Sequence, residues 1–475
     1  MNPIKIFWFY VTVGLMSIAF SIAYELYLED ILPFKFAKFS MLFEVPEKPE
    51  EKLIKELQKF VDADTLIIEE TTQEDTARLR QILDSILAEE KKIIFPNDNH
   101  EHLWRIFRKA EKGKRIRILH YGDSQIEGER ITAQIRNELQ KLFGGRGPGL
   151  VPVIPVAPKL SVKTEYSDHW KRVPGFGKVD TTIKHGRFGP LIVYFESSPD
   201  SSQESWFSLK PNRYAYYRAR RYDKAVFFWS IPEDTARIKI FVNDSLYHDS
   251  LYEHARLIIK ELSIPPGATI TFKHSGAPIH VYAISLENKS GKGVIMDNIP
   301  LRGSAGTIFT RQNKSFLKLF YDYLKPDLIV LQFGGNVIPY IEDEKRCKNY
   351  GRWFASQIRY LKSIAPEASF LVIGPADMAT VIDGKLQTYP ILECVINVLK
   401  EAALQNDAMF WNMYLNMGGS GTIIKWAEAD TPLAAKDYVH FTIPGVKKVA
   451  QLLWEDILYE YNLYKQAKEE KSEGL

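Results

Sequence analysis

RIRILHYGDSQIEGER, residues 115–130, turns from strand chemistry to helix chemistry around a glycine and a serine. The β-type run 116–121 reads as a short strand ending at Gly122-Asp123-Ser124. An amphipathic helix then starts near Glu129, with Ile131, Ile135, Leu139 and Leu142 at helical spacing. Strand, glycine turn, serine and helix put a hydroxyl at the carboxyl end of a strand, where open α/β sheets build their sites. The acidic residues Asp123, Glu127 and Glu129 suit a helix amino terminus, whose backbone N–H groups can also meet an anion. A Gly-Asp-Ser turn arises by chance in on the order of one in ten chains of this length, given average residue usage. The tripeptide needs company before it means anything.

Company comes from three later clusters. Asp437-Tyr438-Val439-His440 stands just before the final helical pattern. A histidine can take the proton of a serine hydroxyl, and a carboxylate three residues earlier can fix its tautomer. Asp-x-x-His can also ligate a metal, but no second pair of histidines or cysteines has the spacing to complete such a site. Gly334-Gly335-Asn336 ends the apolar strand of DLIVLQFG (327–334), and an amide there can donate to an oxyanion. Gly303, in IPLRGSAG, offers a further backbone donor.

Working outward, the stretch 6–24 carries no charge; Lys5 precedes it and Glu25, Glu29 and Asp30 follow. Its length fits a membrane span or signal anchor with the amino terminus inside, and Ser21-Ile22-Ala23 leaves room for signal-peptide cleavage. Either way the sequence reads as exported: anchored and facing the periplasm or cell exterior, or secreted after cleavage. Residues 25–96 form a charged, helix-prone connector. The run Gly144-Gly145-Arg146-Gly147-Pro148-Gly149 ends the first helix like a hinge, and lacks the lysine of a P-loop. Runs such as AVFFW (225–229), ARIKIFV (236–242) and IHVYAISL (279–286), separated by turn residues, predict an inserted all-β sandwich at 151–292. If that insert supplies glycan affinity, it should fold alone. From Gly293 strands and helices alternate again, so 97–150 and 293–462 are two parts of one α/β domain with a parallel sheet covered by helices. A charged, loose tail, 463–475, closes the chain.

Composition excludes some classes. The 62 basic and 59 acidic residues nearly cancel, so nothing points to nucleic acid. Two cysteines, Cys347 and Cys394, rule out a disulfide framework, and their helical settings predict buried thiols. Aromatic residues make up 13% of the chain, enough for sugar stacking as well as for a sandwich core. Trp170, Trp206 and the Tyr214-Ala215-Tyr216-Tyr217 run are the candidates in the insert.

Gly122-Asp123-Ser124, Gly303, Gly334-x-Asn336 and Asp437-x-x-His440 fall in the order and contexts of the four blocks of GDSL/SGNH hydrolases, which this sequence resembles. The resemblance implies an SGNH-type, flavodoxin-like fold. It implies Ser124 as nucleophile, Asp437 and His440 as its partners, and Ser124, Gly303 and Asn336 as the oxyanion hole. Gln125-Ile126 departs from the leucine of the common GDSL form, and Val337 from a frequent aspartate. Gly-Asp-Ser-x-Ile-x-Gly with a β insertion resembles the peptidoglycan and polysaccharide O-acetylesterase branch more than the lipase branch, and within it a carbohydrate-binding-like sandwich interrupting the catalytic domain is a known arrangement. The implied activity is removal of O-acetyl groups from a cell-envelope or dietary glycan without a cofactor. Gln125, Trp170, Trp206 and Tyr216 are the expected substrate contacts. A glycan O-acetyltransferase would use the same residues, and a non-catalytic glycan-binding envelope protein could keep the same fold. The oligomeric state is not written in the sequence.

Overall fold

The computed structural model describes residues 88–197 and 204–473. In chain order its elements begin with α1 (Glu101–Glu111), β1 (Arg115–Gly122) and α2 (Arg130–Phe143). A run of strands follows: β2 (Gly149–Val151), β3 (Val162–Tyr166), β4 (Trp170–Pro174), β5 (Val193–Ser197), β6 (Ser205–Pro211) and β7 (Lys224–Ile231). It continues through β8 (Ala236–Val242), β9 (Ser245–Tyr252), β10 (Ala255–Ser263), β11 (Ile270–Gly276), β12 (His280–Glu287) and β13 (Gly293–Pro300). The α/β alternation resumes with α3 (Lys314–Leu324), β14 (Leu328–Gln332), α4 (Glu344–Lys362) and β15 (Ser369–Ile373). A hairpin, β16 (Ala379–Ile382) and β17 (Lys385–Thr388), precedes α5 (Leu392–Leu404) and β18 (Met409–Trp411). Two short helices, α6 (Met413–Met417) and α7 (Thr422–Glu428), lead to α8 (Ile443–Glu473).

The fold is α/β with both parallel and antiparallel sheets. Strands β13-β1-β14-β15-β18 form a wholly parallel sheet in that order. Numbered along the sheet's own chain path this is the order 2-1-3-4-5, the flavodoxin-like arrangement, whose switch point lies beside the first strand. Both faces of β1 are buried because alternate side chains enter different cores. Ile116 and Ile118 join the core shared with α1, α2 and α8, while Leu119 and Tyr121 join the core that reaches the sandwich.

The antiparallel part lies between α2 and β13. One sheet runs β10-β7-β12-β5-β4, with β2 also on β12; the other runs β3-β6-β11-β8-β9. Phe207, Phe227, Trp229 and Phe272 pack between them. Strand β8 alternates buried and more exposed residues, as a sheet with one wet face should. Strand β7, KAVFFWSI, is buried almost throughout because its second face packs on α3, with Phe228 against Phe320. Tyr282 of β12 does the same against Phe316 and Phe320. The sandwich thus shares one continuous core with the parallel half. That packing argues against the lobe able to fold alone that the sequence led us to expect.

Buried charge crosses the same boundary. Arg117 of β1, fully buried, holds Asp297 of β13 through two bonds of 2.8 Å, and reaches Glu287 at 2.5 Å and Ser285 at 3.0 Å, both on β12. Burial alone would lower the guanidinium's pKa, but Asp297 and Glu287 raise it and keep it charged. The glycine run at 144–149 is a close crossing, where a hinge was expected. A Cβ on Gly145 would lie 2.4 Å from the Val294 carbonyl oxygen, and one on Gly147 2.2 Å from that of Leu286.

Three further expectations need correction. The stretch 6–24 lies outside the described residues, and among the described residues no helix is long and apolar enough to cross a membrane. The described residues therefore supply no membrane-spanning helix, and the anchor, the membrane partner and the membrane-facing location are withdrawn. The tail does not loosen at 463: α8 runs on to Glu473 because Tyr464 is buried, and both it and Lys468 bond Glu111 of α1. Cys347 and Cys394 are joined in a disulfide, not separate thiols. Helix α4 meets α5 closely at Gly351, where a Cβ would stand 2.7 Å from that of Val398, and this brings the two cysteines together.

Candidate active site

Two strand ends and one helix entrance meet at a cleft of about 220 Å³. Strand β1 stops at Gly122, and Asp123 caps a tight 3-10 turn, Ser124–Glu129, by accepting the Gln125 N–H at 3.0 Å. Ser124 sits half-exposed at the head of that turn. Its Oγ is 2.8 Å from His440 Nε2, and His440 Nδ1 is 2.7 Å from Asp437 Oδ2. The loop carrying Asp437 and His440 is wound tightly: Asp437 Oδ1 accepts the N–H groups of both Val439 and His440 at 3.0 Å. Tyr438 between them takes a left-handed φ of +55°, a strain kept where the surroundings fix the backbone.

Burial alone would raise Asp437, but the hydrogen bonds from His440 and Val439 bring its pKa below the ordinary carboxylate value. It is ionised near neutrality and able to hold an imidazolium. Asp123 goes the other way. Burial pushes its carboxyl up to about 6, against the pull of the Gln125 N–H, His440 and Asn336.

Asn336 follows β14 and lines the cleft beside Ser124. Gly334 makes its approach possible: at φ +121° a Cβ would lie 2.9 Å from Leu399 and 3.0 Å from Pro375. Asn336 Nδ2 donates to Asp123 Oδ2 at 3.1 Å and to the Ser304 carbonyl at 3.2 Å. Gly303 is exposed, with φ +76°, one residue before Ser304, and is not among the residues lining the cleft. Its loop is clamped to the serine turn by Arg302, whose guanidinium takes both carboxylate oxygens of Glu127.

The structure brings Ser124, Gln125, Asn336, Asp437 and His440 to one place. Gln125 is nine-tenths buried, and its amide is engaged on the Val439 carbonyl at 2.7 Å, so it holds the histidine loop to the serine turn. Trp170, Trp206 and Tyr216 are in the sandwich region, not in the cleft. Trp170 is only 6% exposed and donates to the Trp206 carbonyl, so it is core. Sequence reasoning missed Tyr340, 76% exposed on the cleft wall beside Pro339, with Met378 and Met413 also lining. Its signal was present, since it ends the GGNVIPY stretch after β14. Among the described residues no group of histidine, cysteine and carboxylate side chains is placed to hold a metal ion.

No family model and no curated protein matches the chain. A solved peptidoglycan O-acetylesterase matches it with TM-score 0.60 at 19% identity, over 76% of this chain and 96% of its own. A family two carbohydrate esterase from Clostridium thermocellum, in complex with cellohexaose, gives TM-score 0.26 at 9% identity over 63% and 99%. A salicylyl-acyltransferase from a tetracycline biosynthetic pathway gives 0.28 at 10% over 65% and 96%. The two weaker likenesses carry no argument. The first is a likeness of fold alone.

Proposed function

We propose that this protein is a serine esterase that removes O-acetyl groups from a glycan through an acyl-enzyme. The observation that carries the reading is the unbroken hydrogen-bonded chain Ser124–His440–Asp437 at the sheet's switch point. In this reading His440 Nε2 takes the Ser124 proton as Oγ attacks the ester carbonyl, and Asp437 holds the resulting imidazolium. The N–H of Ser124 and the amide of Asn336 receive the oxyanion, while Gly303, outside the cleft lining, is left without that role. Asn336 must then exchange its bond to Asp123 or to Ser304 for one to substrate. Collapse expels the sugar alkoxide, which takes the proton from His440 and leaves Ser124 acetylated. Water, deprotonated by His440, then releases acetate.

A sugar hydroxyl in place of that water would make the same intermediate an O-acetyltransferase. The apolar and aromatic cleft wall of Pro339, Tyr340, Met378 and Met413 can seat a sugar acceptor as well as the sugar of an acetylated substrate, so it serves either reading. The Cys347–Cys394 bridge suits an oxidising compartment, where acetylated envelope or extracellular glycans occur. The test is turnover of 4-nitrophenyl acetate with and without a glycan acceptor. Release of acetate in both supports the esterase, acetylated glycan in the second supports the transferase, and no turnover in either rejects both.

A further inference from the structure

The loop joining β6 to β7 reads RYAYYRARRY over residues 213–222. Its small and last residues fix it to the body: Ala215, Ala219 and Tyr222 are buried, and Tyr222 Oη donates to the Ala268 carbonyl at 3.0 Å. Backbone bonds add to this, from the Gly147 N–H to the Arg218 carbonyl and from the Gly267 N–H to that of Tyr222. Held this way, the loop presents Tyr214 at 70% exposure and Tyr217 at 63%. The Arg213 guanidinium lies 4.6 Å from the Tyr214 ring, and those of Arg220 and Arg221 lie 5.9 and 5.8 Å from the Tyr217 ring. Among the described residues the arginines paired with carboxylates are Arg108, Arg117, Arg136, Arg237, Arg302 and Arg346. The four arginines of this loop are not among them.

The patch is far from Ser124. Gly147, which the loop bonds, belongs to the crossing packed on Leu286 and Val294 near the start of β13, where Gly293 pairs with Arg115. Ser124 follows the other end of the eight-residue β1, a strand about 25 Å long at the usual rise.

We propose that this loop is a second binding site, for an acidic polysaccharide. Guanidinium forks match carboxylate or phosphate groups, and tyrosine rings set between them offer flat faces to the C–H side of a sugar. Charge alone would equally suit a nucleic acid or an anionic lipid surface. The exposed rings of Tyr214 and Tyr217, three residues apart, favour sugar. The proposal does not depend on the esterase reading, since binding is measured without turnover.

The experiment is retardation of the full chain in gels containing polygalacturonate or neutral dextran, with duplex DNA and phosphatidylglycerol vesicles as other probes. Wild type should bind polygalacturonate in preference to all three. Arg213→Gln/Arg218→Gln and Tyr214→Ala/Tyr217→Ala, each checked for an unchanged melting temperature, should each weaken that binding about fivefold or more. Should a variant fail to fold, competition on wild type decides: galacturonate oligomers should release the polymer and galactose oligomers should not. Failure of wild type to bind polygalacturonate would overturn the proposal. So would equal binding to DNA or vesicles, a tyrosine pair without effect, or release by neutral oligomers.

Discussion

The parallel half and the sandwich treat their strands in opposite ways. In the parallel half, two of the three inner strands bring a polar side chain to the cleft at their carboxyl ends, Ser124 after β1 and Asn336 after β14. In the sandwich, strands carry their chemistry along faces and edges, and the candidate aromatics stand outside the cleft. A parallel sheet buried on both sides has only its ends to offer a ligand, whereas an antiparallel sheet keeps a wet face. Yet the halves are not separate bodies. They meet through α3 and through a buried arginine, so the same boundary that divides their roles joins their cores.

The largest effect on that boundary should come from Arg117→Ala. It leaves Asp297 and Glu287 buried without their cation, which should cost about 3–5 kcal/mol of stability. A denaturant midpoint that falls with an unchanged slope would agree; a shift of less than about 1 kcal/mol would show the halves joined mainly by apolar packing. Next comes the parallel half's own chemistry. Asn336→Ala should lower kcat on 4-nitrophenyl acetate by about 10²–10³-fold with little change in KM, the usual size for one lost oxyanion donor. A rise in KM alone would make Asn336 a substrate contact.

A pH effect tests the second ionic junction. Burial alone would raise Glu129, but Arg136, Lys159 and the Ser161 N–H bring it down to about 2, from an ordinary 4.5. A depressed carboxyl stabilises the fold fully above its unfolded value and loses that contribution as pH falls through the folded one. The melting temperature of wild type should therefore exceed that of Glu129→Gln by a constant margin above about pH 4.5, shrinking toward pH 2. A margin independent of pH would contradict the ionic account. The smallest effect is at the cleft wall. Tyr340→Ala should raise KM for an acetylated glycan about 3–10-fold while sparing 4-nitrophenyl acetate, and Tyr340→Phe should restore it.

Legibility followed the same division. Runs such as DLIVLQFG and SFLVIG were readable because strands buried on both faces must be apolar throughout. Ser124, Asn336, Asp437 and His440 were readable because each sits at a strand end or helix start with a recognisable turn. Edge strands β3 (VKTEY) and β9 (SLYHDSLY) were missed, since their exposed positions leave no apolar run to see. The disulfide was missed because helical periodicity says nothing about which helices touch. The role of Arg117 was not legible, because only the fold supplies Asp297 and Glu287, 180 and 170 residues further on.

The central claim is that Ser124 is a nucleophile activated by His440. A fluorophosphonate that phosphonylates activated serines, followed by peptide mass spectrometry, tests it directly. Wild type should carry one adduct, on Ser124, and lose ester turnover in step with its formation. Ser124→Ala and His440→Ala should form none and should lower turnover by at least about 10³-fold. An adduct on a different serine, or a Ser124→Ala protein within about tenfold of wild-type turnover, would contradict the account.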